Sequence, residues 1–136
     1  MKKIGIAGVS HIHMPNFATR LKARPGIEVV AVWDPAPEQA AKYAKEFGCG
    51  TVATVESLWK DAGAEAVVVC SETNLHREIV PVAAAAGMDL FVEKPLGFSA
   101  ADALEMAAAV EKAGVLFQIG YFMRGAPVHR ALKRIC

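Results

Sequence analysis

Apolar runs of strand length alternate with helical segments along the whole chain. Ile4–Ala7 and Ile27–Trp33 read as the first two strands, with a helix starting from about Pro15 between them. The turn Gly8-Val9-Ser10-His11-Ile12-His13 joins the first strand to that helix. Pro37 to Phe47 reads as a second helix, because Pro37 suits a first helical turn and Gly48 a C-terminal cap. Thr51–Ala53 is expected as a short third strand, and Glu56–Asp61 as a short helix carrying Leu58 and Trp59. Ala66-Val67-Val68-Val69-Cys70 is unbroken in its apolar character. That pattern belongs to a strand buried on both faces, as in a parallel sheet covered by helices.

The second half continues the alternation. A helix is expected from about Leu75 to Ala86, stopping at Gly87, with Pro81 inside it causing a bend or an irregular first turn. Leu90-Phe91-Val92 is the fifth strand. Ser99 with Asp102 three residues on makes a capping-box start for a helix that runs to about Ala113 and ends at Gly114. Val115–Ile119 is the sixth strand, and Pro127 to Ile135 begins one more helix. Six strands with helical crossovers predict an α/β fold, a doubly wound parallel sheet of the Rossmann type with strand order 3-2-1-4-5-6. Residues 1–120 form the dinucleotide-binding domain in this reading, and residues 121–136 a crossover helix.

Composition narrows the function classes. The net charge of +1 is dispersed along the chain, so no electrostatic footprint for nucleic acid or anionic lipid is present. No run is long enough to cross a membrane, and no secretory leader is expected from the Lys2-Lys3 start. The three cysteines, Cys49, Cys70 and Cys136, are odd in number and far apart. They point to a reducing, cytoplasmic setting, with Cys70 a buried structural thiol.

In such a sheet ligands bind beyond the carboxyl ends of the strands, where the strand order reverses. After the first strand the positions of a Gly-x-Gly-x-x-Gly turn hold Gly8, Ser10 and His13. Gly8 keeps the tight turn, the Ser10 hydroxyl can donate to a phosphate oxygen, and His13 stands near the phosphates. His11 and His13 have the residue types of a metal pair, but the sequence shows no third ligand, and no metal is expected. After the second strand, Asp34 can accept hydrogen bonds from an adenosine ribose and would repel a 2′-phosphate, favouring NAD over NADP. Its structural alternative is to open the Asp34-Pro35 turn and cap the next helix. After the fourth strand, Ser71, Thr73 and Asn74 either cap the helix or lie beside the nucleotide cleft; His76 either faces that cleft or packs.

After the fifth strand, Glu93-Lys94-Pro95 places a charged pair directly behind an apolar run, which is costly unless the pair is partnered or working. Lys94 is expected to point toward the nicotinamide position, where it can hydrogen-bond a substrate hydroxyl and assist its proton transfer. After the sixth strand, Arg124 can orient a substrate or cofactor amide, or sit on the surface.

Together these residues resemble the N-terminal domain of the glucose-fructose oxidoreductase / inositol dehydrogenase / rhizopine catabolism (GFO/IDH/MocA) oxidoreductases. Val92-Glu93-Lys94-Pro95-Leu96 is the most specific element, with Glu93 seventeen residues after His76. The tail from Gly120 through Arg124 to Pro127-Val128-His129-Arg130-Ala131-Leu132-Lys133 is similar to the family's crossover into its second domain. The resemblance implies that Lys94 lies by the nicotinamide and substrate, Asp34 at the ribose, Gly8–His13 at the pyrophosphate, and His76 on the cleft side. It also implies a small-molecule sugar or polyol substrate, and a second domain that this sequence does not contain. The expected function is the NAD-binding half of a dehydrogenase; the alternatives are a non-catalytic nucleotide sensor and, last, an S-adenosylmethionine site. An apolar face left by the second domain makes a homo-oligomer an open expectation.

Overall fold

The computed structural model describes residues 1–135. Its strands are β1 (Lys2–Ala7), β2 (Ile27–Trp33), β3 (Gly50–Thr51), β4 (Ala66–Val69), β5 (Asp89–Val92) and β6 (Phe117–Ile119). All neighbours pair in parallel, in the order β3-β2-β1-β4-β5-β6. The helices are α1 (Met14–Ala23), α2 (Pro37–Phe47), α3 (Ser57–Lys60), α4 (Thr73–Ala85), α5 (Ala100–Ala113) and α6 (Pro127–Ile135), with a 3-10 turn at Phe122–Gly125. The predicted doubly wound Rossmann order is the observed one.

The sheet is covered on both faces, and the strand residues alternate between two cores. Val67 and Val69 of β4 face a cluster with Leu58, Ile79, Val80, Ala83, Ala84, Leu90, Val92 and Met106. Val68 and Cys70 face the other way, with Ile4, Ile6, Met14, Ala18, Val32, Ala40, Tyr43 and Ala44. This alternation is the period of two of an extended chain, and burial on both sides explains the continuous apolar run. Gly5 lets α3 approach β1: a Cβ there would meet the Leu58 Cβ at 3.1 Å and the Ala64 Cβ at 3.2 Å.

Local signals account for several boundaries. Gly48 ends α2 at φ 73°, and Gly114 ends α5 at φ 67°, left-handed conformations that cost glycine least. Ser99 and Asp102 form the expected capping box of α5. Three expectations shift. β6 spans three residues instead of five: as the edge strand it has only β5 to pair with, and its ladder runs from Leu90↔Phe117 to Val92↔Ile119. β3 ends at Thr51. α4 begins two residues earlier than expected and continues through Pro81, whose missing N–H withdraws one hydrogen bond from the helix. Among the described residues no helix is long and apolar enough to cross a membrane.

Candidate functional site at the carboxyl edge of the sheet

The carboxyl ends of β1, β2, β4 and β5 are tied to one another by the residues that follow them. Gly8 N–H donates to the Trp33 carbonyl at 2.7 Å, and His11 N–H to the Cys70 carbonyl at 3.1 Å. Gly8 sits at φ 81°, and a Cβ on it would overlap the Cα and Cβ of Ser71. The turn after β1 therefore needs glycine twice over, for its backbone angle and for the close crossing of the β4–α4 turn.

Asp34 closes β2 and is 6% exposed. Its Oδ2 accepts the Val9 N–H at 2.7 Å, and its Oδ1 accepts the Ala36 N–H at 2.8 Å. The Oδ1 bond spans the Asp34-Pro35 turn of its structural alternative, while the N-cap of α2 is Ala36, with no side-chain cap hydrogen bond. Each carboxylate oxygen keeps a further acceptor direction. A groove of about 390 Å³ runs past it, lined by Ser10, His11, Asp34, Gln39, Tyr43 and Glu72. A second groove, of about 270 Å³, lies between Trp33, Val55, Leu75 and Ile79. These apolar residues were not singled out from the sequence, because they belong to three elements that only the folded sheet brings together.

Beyond β4, none of Ser71, Thr73 and Asn74 caps α4. The N-cap residue is Glu72, without a side-chain hydrogen bond, and the buried Ser71 donates its hydroxyl to the Glu72 carbonyl at 3.2 Å. Thr73 is half-buried and Asn74 exposed at the start of the helix. His76 is 1% exposed. Its Nδ1 donates to the Leu96 carbonyl at 3.1 Å, so α4 holds the loop that carries Lys94. Its Nε2 is buried with no hydrogen-bond partner.

Glu93 is the residue on which the edge converges. It is 1% exposed, and its Oε1 hydrogen bonds to His13 Nδ1 at 2.8 Å. Its Oε2 accepts the Lys94 N–H at 2.9 Å. His11 Nδ1 lies 3.8 Å from Oε1, and the two imidazole centroids are 4.7 Å apart. Gly120 leaves room for this carboxylate, since a Cβ there would come within 2.9 Å of Oε2. Sequence spacing offered no third ligand beside the His11/His13 pair, and the fold supplies Glu93. The signal that points to it is the cost of burying an unpartnered carboxylate directly after an apolar strand. Burial pushes the His11 imidazole below its usual range, with Lys94 and His13 acting in the same direction and Glu93 against them. Burial, and then the Glu93 charge, push the Cys70 thiol up to about 12, which removes it as a nucleophile.

Lys94 is half-buried, and its peptide bond to Pro95 is cis. A cavity of about 400 Å³ opens between α1 and the ends of β5 and β6, lined by His13, Phe17, Phe91, Glu93, Ile119 and Phe122 but not by Lys94. Arg124 is not brought to these residues. It is exposed and lines a separate groove with Met123, His129, Arg130 and Lys133.

Known proteins carry the same plan. Residues 2–121 match the profile of the GFO/IDH/MocA family, described as an oxidoreductase family with an NAD-binding Rossmann fold. The chain is 37% identical over 134 residues to a 1,5-anhydro-D-fructose reductase of Ensifer adhaerens, covering 98% of this chain and 40% of that protein. It is 30% identical over 132 residues to a scyllo-inositol 2-dehydrogenase (NAD(+)) of Bacillus subtilis, covering 96% and 38%. Among solved structures it is similar to a 3-ketoreductase from Actinomadura kijaniata in complex with NADP and TDP-benzene, with a TM-score of 0.82 and 26% identity over 96% of this chain and 40% of that one. The chain thus spans about 40% of the length of the relatives it matches. It belongs to the GFO/IDH/MocA oxidoreductase family and comprises that family's NAD(P)-binding Rossmann domain, related to inositol and sugar dehydrogenases.

Proposed function

We propose that this chain is the cofactor half of an NAD-dependent dehydrogenase that oxidises a secondary alcohol of a sugar, an inositol or a similar polyol. The observation that carries the reading is the convergence of Gly8, Asp34 and Lys94 on one sheet edge, tied by backbone and carboxylate hydrogen bonds. A dinucleotide fits the residues present. The turn after β1 presents backbone with no Cβ at Gly8, and α1 begins directly behind it. Asp34 keeps acceptor capacity beside a groove, and its charge opposes a 2′-phosphate. Ser10, His11 and His13 belong to that turn, Ser71 crosses it at Gly8, and Thr73 and Asn74 follow at the start of α4.

When bound, the nicotinamide supplies a hydride acceptor. The chain's own residues prepare the substrate. Lys94 holds the reacting hydroxyl through its ammonium and assists loss of its proton. Glu93 and His76 are positioning residues: one fixes the Lys94 backbone N–H, the other the Leu96 carbonyl on the same loop. The catalytic base comes from the remainder of a longer protein. Orientation by remote groups contributes about 7–11 kcal/mol in well-aligned reactions, so the isolated chain turns over little.

The test is calorimetry of the chain with NAD and with NADP, followed by Lys94→Ala in a version carrying the second domain. Weak NAD binding, with the variant losing rate but not cofactor affinity, is expected. Measurable polyol oxidation by the isolated chain, or no affinity for either dinucleotide, would overturn the reading.

A further inference from the structure

We infer that His11, His13 and Glu93 form a site for a divalent first-row transition metal of the zinc class. Each residue offers one donor atom, and the three atoms lie within 4.8 Å of one another. Two imidazole nitrogens and one carboxylate oxygen are a set that suits zinc or cobalt better than magnesium or calcium, which prefer oxygen alone. A tetrahedral centre with bonds of about 2.0–2.1 Å holds its donors roughly 3.3–3.5 Å apart. The His13–Glu93 separation of 2.8 Å must open and the His11–Glu93 separation of 3.8 Å must close, each by less than about 1 Å; the imidazole donors, within 4.8 Å of each other, draw together, and His11 Nδ1 exchanges the His13 N–H it accepts at 3.3 Å for the ion, through side-chain torsions.

The surroundings are built for such a site. The H-x-H segment is fixed by its backbone: His11 N–H bonds the Cys70 carbonyl, its carbonyl accepts the Met14 N–H, and the His13 carbonyl accepts the Phe17 N–H. Glu93 is buried and oriented by the Lys94 N–H, the kind of outer contact that aims a metal-binding carboxylate. Both imidazoles are partly exposed, so an ion has a path in. Lys94 opposes the added charge from the same corner, which sets the affinity below that of a closed structural zinc site.

The three residues lie on the same sheet edge as the proposed dinucleotide site, so the metal is tested without a nucleotide. Chain freed of metal by chelation is titrated with Zn²⁺ by calorimetry and with Co²⁺ by visible absorption. A single ion per chain and the d–d band of tetrahedral cobalt are expected. Glu93→Gln and His11→Asn should each weaken binding by at least about tenfold to a hundredfold, while Cys49→Ser with Cys136→Ser should leave it unchanged. His11→Asn keeps the test decisive if Glu93→Gln fails to fold, because His11 makes no hydrogen bond to another element through its ring. Absence of the cobalt band, binding that survives His11→Asn, or binding lost only with the cysteines would overturn the assignment. A parallel NAD titration in excess chelator reports separately on the dinucleotide.

Discussion

His13 Nδ1 and Glu93 Oε1 are 2.8 Å apart, a hydrogen bond that joins the turn after β1 to the end of β5 across 80 residues of sequence. It lies on the fully buried carboxylate whose other oxygen holds the Lys94 N–H. The turn after β1 and the lysine loop are thus two ends of one polar link. A Gly-rich turn leaves the last of these positions without a side chain. Here an imidazole fills it, and the buried acid after β5 is its partner.

The link predicts a cost for breaking it. Glu93→Ala leaves the Lys94 N–H and the His13 ring nitrogen without their partner in a region closed by Gly120. Unsatisfied buried polar groups cost about 1–3 kcal/mol each, so urea unfolding should show a loss in that range or somewhat above it. His13→Ala should cost less, because its ring is part-exposed and its removal lets water reach the carboxylate. Equal effects of the two variants would show that the bond does not govern this corner.

Gly8 and Gly48 share a left-handed backbone but differ in surroundings. A Cβ on Gly8 collides with Ser71, whereas a Cβ on Gly48 meets nothing within 4 Å. Gly48→Ala should cost the conformational penalty alone, about 1–2 kcal/mol. Gly8→Ala adds overpacking of about 1–3 kcal/mol and displaces the β4–α4 turn. The difference between their denaturation midpoints measures the close crossing itself. It vanishes if the turn after β1 can move away from Ser71 freely.

The fold was legible because its signals are local. The unbroken Ala66–Cys70 run announced a strand buried on both faces, and Val67 and Val68 indeed face opposite cores. Pro37 and Gly48 bounded α2 at both ends. Gly8 and Asp34 could be singled out because each directly follows a strand, and Lys94 because it ends the charged pair behind β5. The His13–Glu93 contact was not legible: it depends on α1 and β5 meeting across the strand-order reversal, which no local pattern encodes. The slot between Trp33, Val55, Leu75 and Ile79 was hidden for the same reason.

Asp34 offers a test of the proposed cofactor choice and of stability together. Both oxygens accept backbone N–H groups, so Asp34→Ala strands Val9 and Ala36 at a cost of about 1–3 kcal/mol in unfolding experiments. Asp34→Asn retains one acceptor oxygen and removes the charge that opposes a 2′-phosphate. Its ratio of NADP to NAD dissociation constants should fall by about tenfold or more, equivalent to about 1.4 kcal/mol. A ratio unchanged in calorimetry would place the 2′-position away from this carboxylate.

Cys70 gives the alkaline limb of stability a definite sign. Its thiol titrates at about 12 in the folded chain against an ordinary 9.0, chiefly because it is buried, with the Glu93 charge second. Between those values the unfolded chain has lost the proton and the folded chain keeps it. Stability is therefore full below pH 9 and falls as pH rises toward 12, by up to about 1.4 kcal/mol for each unit. Tyr43, also raised mainly by burial, acts in the same direction above pH 10. Cys70→Ala removes the thiol's share, so its melting temperature should decline less steeply above pH 9 than that of the unaltered chain. At neutral pH the same variant should be less stable, since it opens a small cavity in the core that Cys70 shares with Ile6 and Val32. The two curves should therefore converge as pH rises, and parallel curves would mean that the thiol escapes burial before it ionises.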